Sequence, residues 1–213
     1  YKREEVARPL DAIREYSEIL DTINSKNIFA LRGISGLSIA TGNLEMAKRY
    51  VDRLLWEQSS DVFGRYFRGI LDVYSGNVER AESDFRFVTK ENPGYAPAHV
   101  LLGYASLLSH AMDEARKSLQ QAGRVDLTFA RPRLLLAEIA LNLGEYQGAL
   151  DILRKLGEKQ KDRPMTHLMM GRVYIAQNDP TQAEAPFTKL AQIDKQSIYP
   201  SLLLAGVYKR IAK

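Results

Sequence analysis

The chain has 213 residues, 45% of them hydrophobic and 26% charged, proportions that exclude global disorder and fit a folded polypeptide. No apolar run reaches the eighteen or so residues that a membrane-spanning helix needs, and RLLLAEIALNL at 133–143 is short and broken by charge. There is no cysteine, which removes disulfides, cysteine-ligated metals and thiol catalysis, and the net charge of +4 is spread along the chain beside acids, as in EKQKDR at 158–163, rather than concentrated as a nucleic-acid interface requires.

In chain order, PLDAIREYSEIL (9–20) carries Ala12 and Tyr16 on one helical face and is expected to be the second helix of a helical pair. Residues 28–61 divide at Gly42-Asn43 into a helix bearing the small residue Ser35 and the stretch TGNLEMAKRYVDRL (41–54), with Ala47, Val51 and Leu54 at i, i+4 and i+7. Residues 62–95 repeat the plan with Gly69, a turn at Gly76-Asn77, then Ala81, Phe85 and Val88, and Pro93 closes the second helix. In 96–129 the order is Pro97, Gly103, Ala115, Leu119 and Ala122, but SHAMDEA (109–115) stands where the turn is expected and departs from the pattern. In 130–163 it is Pro132, Ala137, the turn Gly144-Glu145, Ala149, Leu153 and Leu156. In 164–197 it is Pro164, Gly171, the turn Asn178-Asp179, Ala183, Phe187 and Leu190, and 198–213 opens a further unit with Pro200 and Ala205.

Ala47, Ala81, Ala115, Ala149 and Ala183 are each 34 residues apart. Glycine or asparagine at the turn can take the left-handed conformation that ends a helix, and proline near a helix start costs no hydrogen bond. Small residues let two antiparallel helices approach closely. One pair cannot bury its apolar face alone, so the pairs are expected to stack. The spacing therefore predicts an all-α solenoid of about five full helix-turn-helix units, with partial units at 1–27 and 198–213. The sequence starts at Tyr1 with no signal-like layout around it, and both ends cut through units, so the segment reads as a piece of a longer array.

Period, alanine column, small-residue column and turn together make the sequence resemble the tetratricopeptide repeat. In the fifth unit Gly171, Tyr174, Ala183 and Phe187 stand where the family has its glycine, tyrosine, alanine and phenylalanine. The family's aromatic near the start of the first helix is replaced by Leu31, Arg65, His99, Arg133 and His167, and its tyrosine by Ser38, Asp72, Ser106 and Ala140. These departures imply an array less consensus-like and less stable, with the fold that the resemblance implies, a right-handed α-solenoid.

Nothing in the sequence assembles a catalytic site. His99 and His167 lie two units apart and His110 is in a turn, so no metal-ligand spacing arises. There is no phosphate-binding glycine loop and no serine elbow, and Asp72 and Glu138 are isolated acids expected near the inner face. The expectation is a non-enzyme with no cofactor and no metal.

What the resemblance implies is recognition on a concave groove lined by the first helices. Its columns read Phe29 and Arg32; Phe63, Tyr66, Ile70 and Tyr74; Val100, Tyr104 and Leu107; Arg131, Leu134, Glu138 and Asn142; Leu168 and Arg172; then Tyr199. Aromatic and arginine side chains are the ones that interfaces favour, and the expected partner is a protein or peptide, with packing between units the competing role for each residue. The basic residues of the second helices, Lys48, Arg49, Arg53, Arg116, Lys117, Arg154 and Lys155, are expected on a solvated outer face. The lysines and asparagines with which some members clamp chaperone C-termini are missing, as is the asparagine ladder of sugar-transferring members.

A narrower resemblance lies in NPGYAPAHVLLGYASLL (92–108) and RPRLLLAEIALNLGEYQGALDIL (131–153), which are similar in phrasing to the long repeat lipoproteins of bacterial exopolysaccharide export and PEP-CTERM sorting. It implies a lipid-anchored parent in the periplasm or at the outer membrane that scaffolds polysaccharide assembly. The competing expectations are the substrate-recruiting arm of a larger enzyme, a cytoplasmic adaptor or assembly factor, and a structural spacer.

Overall fold

The computed structural model describes residues 2–125, 130–159 and 163–212. Among them only helices occur: α1 (Lys2–Glu18), which runs into a π-helical turn at Ile19–Ile23, then α2 (Ile28–Ala40), α3 (Leu44–Glu57), α4 (Val62–Tyr74), α5 (Val78–Glu91) and α6 (Ala96–Leu108). These are followed by α7 (Met112–Val125), α8 (Ala130–Asn142), α9 (Tyr146–Lys159), α10 (Pro164–Ala176), α11 (Pro180–Ile193) and α12 (Tyr199–Ile211). From α2 to α11, thirteen-residue helices alternate with fourteen-residue ones. Of the unit limits expected from the sequence, those at residues 1, 129 and 213 lie outside the described residues.

The helices gather into two compact units, Tyr1–Ala111 with α1–α6 and Met112–Lys213 with α7–α12. Within each unit every helix packs on the next. First helices also touch one another, α2 on α4 and α4 on α6 in the first unit, α8 on α10 in the second.

Local chemistry sets where each helix starts and stops. The side chains of Asn27, Asn43, Asp61 and Asp179 each accept the backbone N–H three residues on, at 2.7–3.2 Å, which satisfies donors that the first helical turn leaves free. Pro97, Pro164, Pro180 and Pro200 occupy the first two positions of their helices, where no N–H is needed.

Five of the turns between successive helices are alike. Asn43, Asn77, Ala111, Glu145 and Asp179 each donate a backbone N–H to the carbonyl five residues back, at 2.8–2.9 Å. The residue before each of them bonds three residues back at 3.1–3.2 Å, the paired bonds of a Schellman motif. That residue has positive φ throughout: 76° at Gly42, 78° at Gly76, 61° at His110, 75° at Gly144 and 59° at Asn178. The third turn, where the sequence departs from the pattern, therefore has the geometry of the others. Its left-handed residue is a histidine, which tolerates that conformation less well than glycine.

The columns of the repeat are its core. All five alanines are fully buried, and so are Val51, Phe85, Leu119, Leu153 and Phe187, at 0–2% exposure. The small residues upstream give these side chains room. A Cβ on Gly69 would lie 2.7 Å from the ring of Phe85, and one on Gly171 would lie 2.1 Å from the ring of Phe187. Burying one such ring contributes about 2–3 kcal/mol. Ala205, at the same place in α12, has no second helix packed on it among the described residues and is exposed. In three of the four units that lack the family's tyrosine, Ser38 and Ser106 bury hydroxyls with no hydrogen-bond partner among the described residues, and Asp72 is buried.

Candidate interaction surfaces

The first unit presents an aromatic surface whose cations are already engaged. The Arg32 guanidinium carbon on α2 stands 5.7 Å from the ring centre of Phe29 and 5.2 Å from that of Phe63 on α4, within the range of a cation–π contact. Its charge is held by Asp61, which accepts from Nε at 2.9 Å and from a terminal guanidinium nitrogen while its other oxygen caps Gly64. Tyr66 meets Phe85 edge-on at 6.2 Å and Tyr95 at 5.2 Å. Arg32, Phe63, Tyr66, Tyr95 and the exposed Glu91 border a cavity of about 330 Å³.

Other cations of this unit are tied in the same way. Asp84 on α5 is buried and accepts from Arg68 twice at 2.7 Å and from Arg65 at 2.9 Å. The bond to Asp84 holds the Arg68 guanidinium above its already high ordinary pKa, and Asp72 does the same for Arg80 through two bonds of its own. Glu82 accepts from Arg86 at 2.8 Å and from the Ser109 hydroxyl. Bidentate bonds to a buried carboxylate fix two helices in register; these arginines hold α4 and α5 together.

The second unit offers a cleft of about 540 Å³ between α8, α10 and α12. Its walls are Leu141, Ile175, Leu202 and Leu203, and Asn142, Arg172 and Arg210 stand on it with polar ends. Leu202 is 60% exposed. Arg172 reaches Glu138 only at 3.9 Å and touches the Met169 sulfur at 3.6 Å, and Arg210 has no ion-pair partner among the described residues. Among the described residues no carboxylate lines the cleft.

The residues singled out in the sequence divide among these surroundings. Phe29, Arg32, Phe63 and Tyr66 stand together, while Ile70 packs on the core around Phe85 and Leu102. Tyr74 is exposed at the end of α4, and Tyr104 is half-buried on α6. Val100 is only 3% exposed and has no surface to offer, because it lies inside the core of the first unit. Asp72 is likewise turned inward, toward Arg80 and Asn77 of the same helical pair. In the second unit Glu138, Asn142 and Arg172 are neighbours of the cleft, whereas Arg131 and Tyr199 are exposed outside its lining. His99 is buried, with Nε2 3.0 Å from the Pro93 carbonyl. Among the described residues no three His, Asp or Glu side chains could share a metal ion.

Arg210, Leu202, Tyr95 and Asp61 were not anticipated. Arg210 had a usable signal: it lies 34 residues after Ala176 and 68 after Asn142, in the column that also holds Tyr74.

Stacked helix pairs joined by identical turns, presenting varied side chains on a constant frame, define a helical-repeat protein of the kind that works through its surfaces. The chain belongs to the tetratricopeptide-repeat family: models described as "Tetratricopeptide repeat" match residues 68–126, and 130–155 with 164–185. Similar solved structures include YrrB, described as a TPR protein with an unusual peptide-binding site (17% identity, TM-score 0.70, 91% of this chain and 97% of that one). PilF of Pseudomonas aeruginosa aligns at 18% identity with a TM-score of 0.72, over 87% of this chain and 86% of that one. MamA from Desulfovibrio magneticus RS-1 aligns at 21% identity and 0.70, over 80% and 96%. At such identities the likeness is one of fold. None of the curated proteins compared with the chain matches it.

Proposed function

We propose that the chain is a non-catalytic protein–protein interaction scaffold that takes a peptide or a segment of a partner protein on the face made by its first helices. The observation that carries this reading is the open cleft on α8, α10 and α12, apolar along its walls and edged by Asn142, Arg172 and Arg210, the composition that recognition grooves favour. Family membership supports it. On the first unit the proposed binding residues are Phe29, Arg32, Phe63 and Tyr66 with the outlying Ile70, Tyr74 and Tyr104; on the second they are Glu138, Asn142 and Arg172, with Arg131 and Tyr199 outlying.

Peptides selected on the full chain from a random displayed library should slow hydrogen exchange on the first helices. Protection confined to the outer second helices around Lys48, Lys117 and Lys155, or the failure of any peptide to be selected, would sink the groove assignment.

The phrasing of residues 92–108 and 131–153 supports a finer reading, a role in bacterial exopolysaccharide export or assembly with a lipid-anchored parent in the envelope. No helix among the described residues is long and apolar enough to cross a membrane. A deletion strain that exports normal amounts of polysaccharide would remove this finer reading and leave the scaffold intact.

A further inference from the structure

We infer that the cleft of the second unit selects an internal protein segment in which aliphatic side chains alternate with carboxylates, Leu and Glu at helical or extended spacing, and that Arg172 and Arg210 are the residues that read the acids. This rests on the scaffold reading above and names the chemistry of its partner.

Two observations meet here. The walls are aliphatic and open: Leu141, Ile175, Leu202 and Leu203 line a volume of about 540 Å³, and the 60% exposure of Leu202 leaves apolar area for a partner to cover. The cations at the edge form no close hydrogen-bonded ion pair among the described residues. In the first unit Arg32, Arg65, Arg68 and Arg80 each form hydrogen-bonded ion pairs with a buried carboxylate, at 2.7–2.9 Å where Arg65 and Arg68 meet Asp84. In this cleft the nearest acid to Arg172 is Glu138 at 3.9 Å, and Arg210 has none among the described residues. A guanidinium beside apolar walls binds a carboxylate more strongly than it would in open water, because the partner's own surface excludes solvent. Asn142 adds an amide that can donate to the same ligand. A chain-terminal carboxylate is not required, since the two arginines stand on different helices along an open cleft and can each meet a side-chain acid.

The test uses the full chain and three synthetic probes, each acetylated and amidated so that no terminal charge contributes: a Leu/Glu amphipathic peptide, its Leu/Gln counterpart, and a polyglutamate of equal length. Fluorescence anisotropy at low salt should show the Leu/Glu peptide binding roughly tenfold more tightly than either control, with the advantage shrinking as salt rises. Arg172→Gln with Arg210→Gln should bring the Leu/Glu peptide down to the Leu/Gln level. Glu138→Gln, which removes the one nearby competitor, should raise affinity for the Leu/Glu peptide by roughly twofold. Equal binding of the Leu/Glu and Leu/Gln peptides, both lost on Leu202→Ser, would overturn the acid selectivity while leaving the groove in place. Polyglutamate binding as tightly as the Leu/Glu peptide would overturn the role of the walls. Concentration-dependent dimerisation abolished by Leu202→Ser would assign the cleft to a second copy of the chain and overturn the inference too.

Discussion

Two sets of arginines, one in each unit, stand in opposite surroundings. In α4 and α5 of the first unit, Arg65 and Arg68 converge on buried Asp84 and Arg80 closes on Asp72, so positive charge is spent in holding a helical pair together. In α10 and α12 of the second, Arg172 and Arg210 stand over an apolar cleft where the nearest acid to Arg172 is Glu138 at 3.9 Å, and their charge is proposed to meet a ligand. The repeat fixes where a side chain stands, and its partner decides whether it is structural or available. An arginine in a groove column is therefore not evidence of binding until its carboxylates have been located.

The largest expected effect comes from breaking the structural set. Asp84→Ala should destabilise the first unit by about 3 kcal/mol, because two partly buried guanidinium groups lose their counter-charge. Urea unfolding followed by circular dichroism would read this, and a loss as small as that of Arg172→Gln, expected within about 0.5 kcal/mol, would erase the contrast between the units. Next come the glycines under the phenylalanine rings. Gly171→Ala in the second unit and Gly69→Ala in the first should each cost about 1–3 kcal/mol by overpacking, and Gly171→Ala the more, since its Cβ would lie 2.1 Å from the ring rather than 2.7 Å. Thermal melts of the two variants would show whether both units are packed to the same tolerance.

Two smaller changes should stabilise. His110→Gly relieves a left-handed residue at φ 61° and should contribute about 0.5–1 kcal/mol, because only glycine takes that conformation without a steric cost. The same substitution at Asn178, also left-handed, should contribute less, since asparagine tolerates it better. Ser106→Ala removes a buried hydroxyl without a partner and should be neutral or raise stability by up to about 1 kcal/mol. A clear destabilisation by Ser106→Ala would show that its hydroxyl is satisfied.

The frame was legible in the sequence because it rests on residues whose roles are short-ranged. An alanine every 34 residues, a small residue ahead of it and a glycine or asparagine between them state a helical pair directly. The third turn was obscured because SHAMDEA carries a histidine in the left-handed position, and the backbone bonds from Ala111 to Ser106 and from His110 to Leu107 impose the turn regardless. The surfaces were less legible. Val100 sits in a groove column yet is buried, and Asp72 sits in the tyrosine column and turns toward Arg80. For Asp72 the deciding contact lies outside the column itself. Arg210 was in register with Asn142 and could have been read from the period alone.

The central claim is that Arg65 and Arg68 of the first unit serve the fold while Arg172 and Arg210 of the second are proposed to serve a ligand. A thermal-shift titration with the Leu/Glu peptide reads both quantities in one experiment, since melting temperature reports stability and its rise with peptide reports affinity. The account predicts a crossed result. Arg65→Gln with Arg68→Gln lowers the melting temperature by several degrees and leaves the peptide-induced rise intact, whereas Arg172→Gln with Arg210→Gln leaves the melting temperature near that of the unsubstituted chain and abolishes the rise. A first pair that removes the rise without lowering the melting temperature, or a second that lowers it while the rise persists, would contradict the account.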